Sequence, residues 1–291
     1  MSILVTGSTG RIGSEVIKQL VQQGADVRAL TRSPEKASFP EAVTIVKGDL
    51  LDVDAMRDAL RGVDTLFLLV SNTPDELTQA INTVGIARES GVRGIVYLSV
   101  TRSAAFTDVP HFIGKHAVEM MLEQFDLPAT ILRPSYFFQN DSGLKVPLQN
   151  AGLYVSPVGS KGVSMVDVRD IADAAVIELV RRDRSPLPLP RETYELCGPD
   201  ALTGSDLAEI WSAVLDREIR YAGDDLKGFE QNMKAMAPSW MAYEMTAMMR
   251  RYQEDGAAAS EQDRTRLHTL LGRPSRPYRA FAEETARQWH V

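Results

Sequence analysis

Short β-branched runs alternate with helical patterns through the first two thirds of this chain. A chain with that rhythm buries its strands on both faces, so it folds around a parallel sheet with helices on either side. Strands are expected at 3–6, 26–31, 43–47, 65–70, 94–99, 129–133 and 193–197. Between them Ile12, Val16, Ile17 and Leu20 recur at helical spacing, and 53–60, 75–90, 109–124 and 170–181 read the same way. After Pro134 the rhythm changes. Residues 139–166 carry Gly143, Pro147, Gly152, Pro157, Gly159 and Gly162 as breakers, and 183–190 holds three prolines. From Thr203 the patterns are helical, at 203–215, 226–235, 239–252, 262–270 and 281–289. The expected architecture is α/β, a Rossmann-type doubly wound parallel sheet with a smaller, mainly helical C-terminal substrate cap. The core takes 1–135, with 164–198 returning to it, and the cap takes 136–163 and 199–291.

Composition narrows the function classes. A chain of 291 residues supports one large or two intimately packed domains. Its net charge of −7 and pI near 5.3 supply no basic footprint for a polyanion, so no nucleic-acid partner is expected. Cys197 is the only cysteine, which rules out an internal disulfide and cysteine-based zinc motifs; no metal is expected. The start carries no leader-like pattern of basic then apolar residues, and the most apolar run, 66–70, is far too short to span a bilayer. The expected address is cytoplasmic, with no membrane partner.

The strongest motif is Thr6-Gly7-Ser8-Thr9-Gly10-Arg11-Ile12-Gly13, which follows the first expected strand and opens a helix. In that context Gly7 permits a tight turn, Gly10 lets the backbone approach a pyrophosphate, and Gly13 lets the helix pack closely. Thr9, Arg11 and Ile12 complete the loop, whose helix N-terminus offers unpaired N–H groups to phosphates. About 20 residues beyond such a loop, an acidic residue would hold a ribose 2′-hydroxyl. Here that place is taken by Arg32, whose guanidinium suits a 2′-phosphate, with Arg11 and Lys36 near enough to assist. The expected cofactor is NADP(H).

These features, together with Gly48-Asp49-Leu50, the run from Gly94 to Ser99, Leu132-Arg133-Pro134, Phe138-Gln139-Asn140 and the run from Val166 to Ile171, carry a resemblance. The chain resembles the NmrA-like group of atypical short-chain dehydrogenases/reductases. That group holds NADPH-dependent quinone, azo-dye and triphenylmethane-dye reductases as well as redox-sensing regulators. The resemblance implies that Asp49 and Leu50 lie against the adenine, and that Val70 and Ser71 flank the ribose and nicotinamide side. It also implies that Pro134 and Tyr136 border the nicotinamide, with Phe137 and Phe138 as substrate contacts. From its position alone, Asp49 reads equally as the N-cap of the following helix.

Typical short-chain dehydrogenases place Ser or Thr at the end of the fifth strand and Tyr-x-x-x-Lys on the next helix. The lysine lowers the tyrosine pKa and holds the nicotinamide ribose, and the tyrosine transfers the proton. This chain reads His111-Phe112-Ile113-Gly114-Lys115: the lysine is present and His111 stands in the tyrosine's place. Ser99 and Thr101 supply the hydroxyls. Lys115, His111 and Thr101 are therefore the catalytic candidates, and Lys115 and Ser99 also cofactor contacts; His116 and His268 read as surface residues. Histidine donates protons near neutral pH, and a delocalised anion formed from a conjugated acceptor can take its proton from water. Trp240, Tyr243 and a methionine-rich stretch from Met233 to Met249 read either as an adaptable apolar pocket, with Trp240 on the substrate, or as helix packing or a homodimer interface. The expected function is NADPH-dependent reduction of a small, flat, apolar electrophile such as a quinone, dye, enone or imine. The alternative is a non-catalytic NADP(H) sensor that binds a protein partner.

Overall fold

In the computed structural model, which describes residues 2–289, seven strands form one sheet. They are β1 (Ser2–Val5), β2 (Asp26–Thr31), β3 (Val43–Lys47), β4 (Thr65–Leu68), β5 (Gly94–Leu98), β6 (Ala129–Pro134) and, after a two-residue β7 (Leu153–Tyr154), β8 (Glu192–Leu196). Their order is β3-β2-β1-β4-β5-β6-β8, and every pair from β3 to β6 runs parallel. Val5 of β1 stands beside Ala29 of β2 and Phe67 of β4. The chain thus winds outward in both directions from β1, and the crevice at that reversal is where such sheets bind ligands. β1, β4 and β5 are buried at every residue, which is why they read as continuous apolar runs with no alternation.

The helices packed around this sheet are α1 (Arg11–Gln22), α2 (Val53–Leu60), α3 (Glu76–Glu89), α4 (Pro110–Gln124) and α5 (Val168–Arg184). One compact unit comprises residues 2–103, 111–133 and 169–194. Within it, a buried polar cluster bolts α5 to β6. The Thr130 hydroxyl donates to Glu178 at 2.5 Å and accepts from Arg182 Nε at 2.7 Å. Arg182 also donates to the carbonyls of Leu189 and Pro190, and burial pushes its guanidinium pKa down to about 10. That arginine therefore pins the proline-rich 183–190 segment.

The second unit comprises 104–110, 134–168 and 195–289, and holds α6 (Gly204–Leu215), β9 (Arg220–Tyr221), α7 (Leu226–Lys234), α8 (Ser239–Glu254), α9 (Glu261–Leu271) and α10 (Tyr278–Trp289). The stretch 139–166 is not wholly irregular: β7 pairs in parallel with β9. Two-residue strands carry no readable period, so the sequence gives no signal for them. Helix α5 begins earlier than its pattern suggests because Gln139 Oε1 accepts from Val168 N at 3.0 Å, while Gln139 Nε2 donates to Asp167 at 3.0 Å. A cap supplied from 29 residues away leaves no local mark. Among the described residues, no helix is long and apolar enough to cross a membrane.

The core of the second unit is built around a buried carboxylate. Asp141 is wholly buried and accepts from the hydroxyls of Tyr154 at 2.9 Å and Tyr278, and Tyr278 in turn accepts from Trp211 Nε1 at 2.9 Å. Burial pushes the Asp141 carboxyl up to about 6, against the pull of the Tyr278, Tyr154 and Ser156 hydroxyls. A pKa raised in the folded state means that folding favours the protonated form. The stability this contributes is full below about pH 4, the unfolded value, and is lost as pH rises through 6. The difference in unfolding free energy between wild type and Asp141→Asn, from urea titrations, should therefore shift by about 2 kcal/mol against wild type between about pH 4 and pH 7. A difference that stays flat would show that Asp141 does not titrate in this range.

Candidate functional site

The glycine loop joins β1 to α1. Gly7 adopts φ +58°, the left-handed region that favours glycine, and Gly10 N donates back to Gly7 O at 3.0 Å to close the turn. The Thr6 hydroxyl accepts from Leu69 N at 2.9 Å, tying the loop to the segment after β4, and Ser8 donates to Leu30 O at 2.6 Å. At Gly13 a Cβ would stand 2.8 Å from Gly7 C and 2.9 Å from Ser8 Cα, so only glycine lets α1 begin against the turn. Gly10 is the N-cap of α1, with no side-chain cap and no acidic residue in the first turn. The first N–H groups of the helix point out of its N-terminus with a partial positive charge.

A cleft of about 440 Å³ opens at this loop. Of the residues expected at the cofactor, Gly7, Thr9, Arg32, Lys36, Asp49, Leu50 and Ser71 line it. Gly10, Arg11, Ile12 and Gly13 belong to the loop and the first turn of α1 but are not in its lining, and Ile12 is buried. Val70 is buried as well; its neighbour Leu69 faces the cleft instead. Asp49 is not the helix cap. Asp52 caps α2 by accepting from Ala55 N at 3.0 Å, and Asp49 Oδ1 closes a turn by accepting from Leu51 N at 3.0 Å.

The sequence reading passes over one wall of the cleft, formed by Thr73, Asp75 and Gln79. Gln79 Nε2 donates to Asp75 at 2.9 Å and to Thr73 at 3.3 Å. The Thr73 hydroxyl holds the Asp75 carboxyl below its usual range, helped by Gln79 and by the charge of Arg32. The i, i+4 spacing of Asp75 and Gln79 at a helix start was the available signal.

The catalytic candidates lie at the end of β5 and on α4. Lys115 Nζ sits 2.6 Å from Glu76 Oε1 and donates to Leu98 O at 3.3 Å; neither Lys115 nor Glu76 lines the cleft. The Tyr97 ring centre lies 5.9 Å from Lys115 Nζ, and Tyr97 is 1% exposed, a core residue of β5. Burial, and then the charges of Glu76 and Glu119, push its phenol pKa well up. His111 occupies the first turn of α4, half-buried, with its Nδ1 buried and its ring edge-on to Phe112. Thr101 is buried, and Arg102 beside it adopts φ +58°, a left-handed conformation unfavourable for a residue that carries a Cβ.

Ser99 is buried and its hydroxyl donates to Glu119. Glu119 also accepts from Ser103 at 3.2 Å and from Arg133 through two nitrogens, at 3.0 and 2.6 Å. His116 is no ordinary surface residue: its Nδ1 is buried, 3.5 Å from Glu119 Oε2. His268 is exposed, as expected.

In the second unit, Pro134 is buried, while Tyr136, Phe137 and Trp240 are half-buried. Phe138 is a core residue and not an accessible contact. It is 1% exposed, edge-on to Tyr278 at 5.1 Å and beside Phe281 at 5.8 Å. Met248 and Met249 are buried, Met233, Met241 and Met245 half-buried, and Met236 is exposed.

Residues 1–273 match the model of the NmrA-like family. The chain is 30% identical over 289 residues to an NAD(P)H azoreductase of Xenophilus azovorans, covering 98% of each. It is 32% identical over 287 residues, again 98% of each, to a (4-alkanoyl-5-oxo-2,5-dihydrofuran-3-yl)methyl phosphate reductase of Streptomyces griseus. The NADPH-dependent quinone oxidoreductase of Escherichia coli, solved with NADPH, has the same fold: TM-score 0.84 at 22% identity over 99% of both chains.

Proposed function

Because the chain belongs to the NmrA-like family, we propose that it is an NADPH-dependent reductase of a small conjugated electrophile. The observation that carries this reading is the glycine turn opening α1 in the same cleft as Arg32 and Lys36 at the end of β2. The residues present fit an anionic dinucleotide: a tight turn that side chains would fill, a helix N-terminus, and two cations with Ser33 beside them. Gly7, Gly10 and Gly13 shape the pyrophosphate cradle, with the first N–H groups of α1 as donors. Arg32 and Lys36 hold the 2′-phosphate, and Asp49 and Leu50 border the adenine. Ser71, beyond β4, leads toward the nicotinamide half. When bound, NADPH supplies the hydride.

Two relatives bear the names of reductases of an azo group and of an acyl-dihydrofuranone phosphate, which supports an unsaturated acceptor. Such an acceptor also suits this chain's departure at His111, since a delocalised anion needs no strong proton donor. We expect Lys115→Met to weaken cofactor binding and lower turnover together by about tenfold or more, since Lys115 holds ribose hydroxyls whatever the acceptor. His111→Phe should lose less than about tenfold in turnover with a quinone, against the hundredfold or more of an obligatory acid. Steady-state kinetics of both variants with one quinone check this. A His111→Phe protein that binds NADPH but does not turn over would make His111 the acid.

The cofactor assignment is tested by titrating NADPH and NADH. Wild type should prefer NADPH, and Arg32→Asp should weaken NADPH by about 2 kcal/mol, roughly thirtyfold, by removing an ion pair and adding repulsion. Equal wild-type affinities would sink it. One observation favours a second reading, a regulator that binds NADP(H) without using it: the charge of Lys115 is already matched by Glu76. Incubation with NADPH and a panel of quinones separates the two, because a sensor binds the cofactor and leaves its absorbance unchanged.

A further inference from the structure

Glu76 has no part in the cofactor contacts assigned so far beyond matching the charge of Lys115, yet it is a buried carboxylate next in the chain to the cleft wall. It is 8% exposed, opens α3, and directly follows Asp75 of the cleft wall. One oxygen, Oε1, is 2.6 Å from Lys115 Nζ. The other, Oε2, is buried with no hydrogen-bond partner among the described residues. A buried carboxylate oxygen left without a donor costs more than a typical hydrogen bond returns, so an arrangement of this kind needs a reason. Lys115 is incompletely used as well: of its three N–H donors, Glu76 and Leu98 O engage two.

The pair therefore has one donor and one acceptor to spare, side by side and at low exposure. A vicinal diol has the matching pattern, because each hydroxyl can donate to one group and accept from another. The structure assigns Glu76 as the second arm of a diol clamp, with Glu76 Oε2 accepting from one ribose hydroxyl and Lys115 Nζ donating to its neighbour. This rests on the cofactor reading above and adds to it a residue that the glycine loop and Arg32 do not imply. Glu76 has two tasks in this assignment: it holds Lys115 in place and it binds the sugar. A neutral amide cannot do both, because glutamine offers only one acceptor oxygen.

The test uses three ligands on the full-length protein. NADPH and 2′-phospho-ADP-ribose carry the second ribose, and 2′,5′-ADP lacks it while keeping the groups that Arg32 and the adenine pocket take. Glu76→Gln should weaken the first two by about tenfold or more and leave 2′,5′-ADP within about twofold, as read by calorimetry. Glu76→Asp, which withdraws the carboxylate by one methylene but keeps its charge, should give the same selective pattern if the glutamine variant does not fold. An equal loss for all three ligands would make Glu76 a structural prop and overturn the assignment, as would no loss for any. Wild-type protein that binds neither NADPH nor 2′,5′-ADP would instead remove the cofactor reading, and the clamp with it.

Discussion

Gly10→Val is expected to abolish NADPH binding, by more than about a hundredfold, while the protein still folds and melts close to wild type. The backbone at Gly10 is ordinary, and an added Cβ meets only Gly7 O, at 3.3 Å, a contact that small movements of the turn absorb. The branched side chain would instead stand at the mouth of the turn, where the pyrophosphate has to approach the first N–H groups of α1. Gly13→Ala provides the contrast. Its Cβ would press on the Gly7 carbonyl and the Ser8 backbone, so the turn itself must move, and both affinity and melting temperature should fall. Calorimetric titration beside thermal melts of the two variants separates blocking from deformation. Gly10→Val protein with unchanged affinity would locate the phosphate site elsewhere.

Glu119→Ala should destabilise the fold by about 3–5 kcal/mol, measured by urea denaturation, with no direct part in ligand contact. The Arg133 guanidinium is held by both Glu119 oxygens, and Ser99 and Ser103 donate to the same carboxylate. Removing the anion takes the carboxylate away from a half-buried arginine and from two buried hydroxyls. It also unties α4, which carries Lys115, from β6 and from the segment after β5, which carries Thr101. A loss under about 1 kcal/mol, the range of exposed pairs, would mean that solvent screens the cluster.

These cases mark what could be read from the chain alone. The end of β2 and the glycine turn are set by local rules of period and spacing, so Arg32 and Lys36 could be found before any contact was known, while Asp49 comes only through the family resemblance; all three line the cleft. Glu76 and Glu119 could not. Their partners Lys115 and Arg133 come from other elements, and on its own each carboxylate looks like the solvated face of a helix. Phe138 failed for a related reason. It lies in an aromatic run where position says nothing of direction, and only the packing of Tyr278 and Phe281 turns it inward. The start of α5 depends on Gln139 in the same way, through a side chain that arrives from an earlier turn.

The central claim is that a hydride passes from NADPH on this protein to a conjugated acceptor. It is tested most directly with NADPH deuterated at the transferring carbon and an acceptor that keeps the label on carbon, such as an enone or a triarylmethane dye, because a label delivered to a quinone oxygen exchanges with water. Mass spectrometry of the product should find one deuterium per molecule reduced, with matching loss of nicotinamide absorbance and none with Gly10→Val protein. Wild-type protein that binds NADPH tightly, yet neither oxidises it nor labels any acceptor in the panel, would contradict the reductase account.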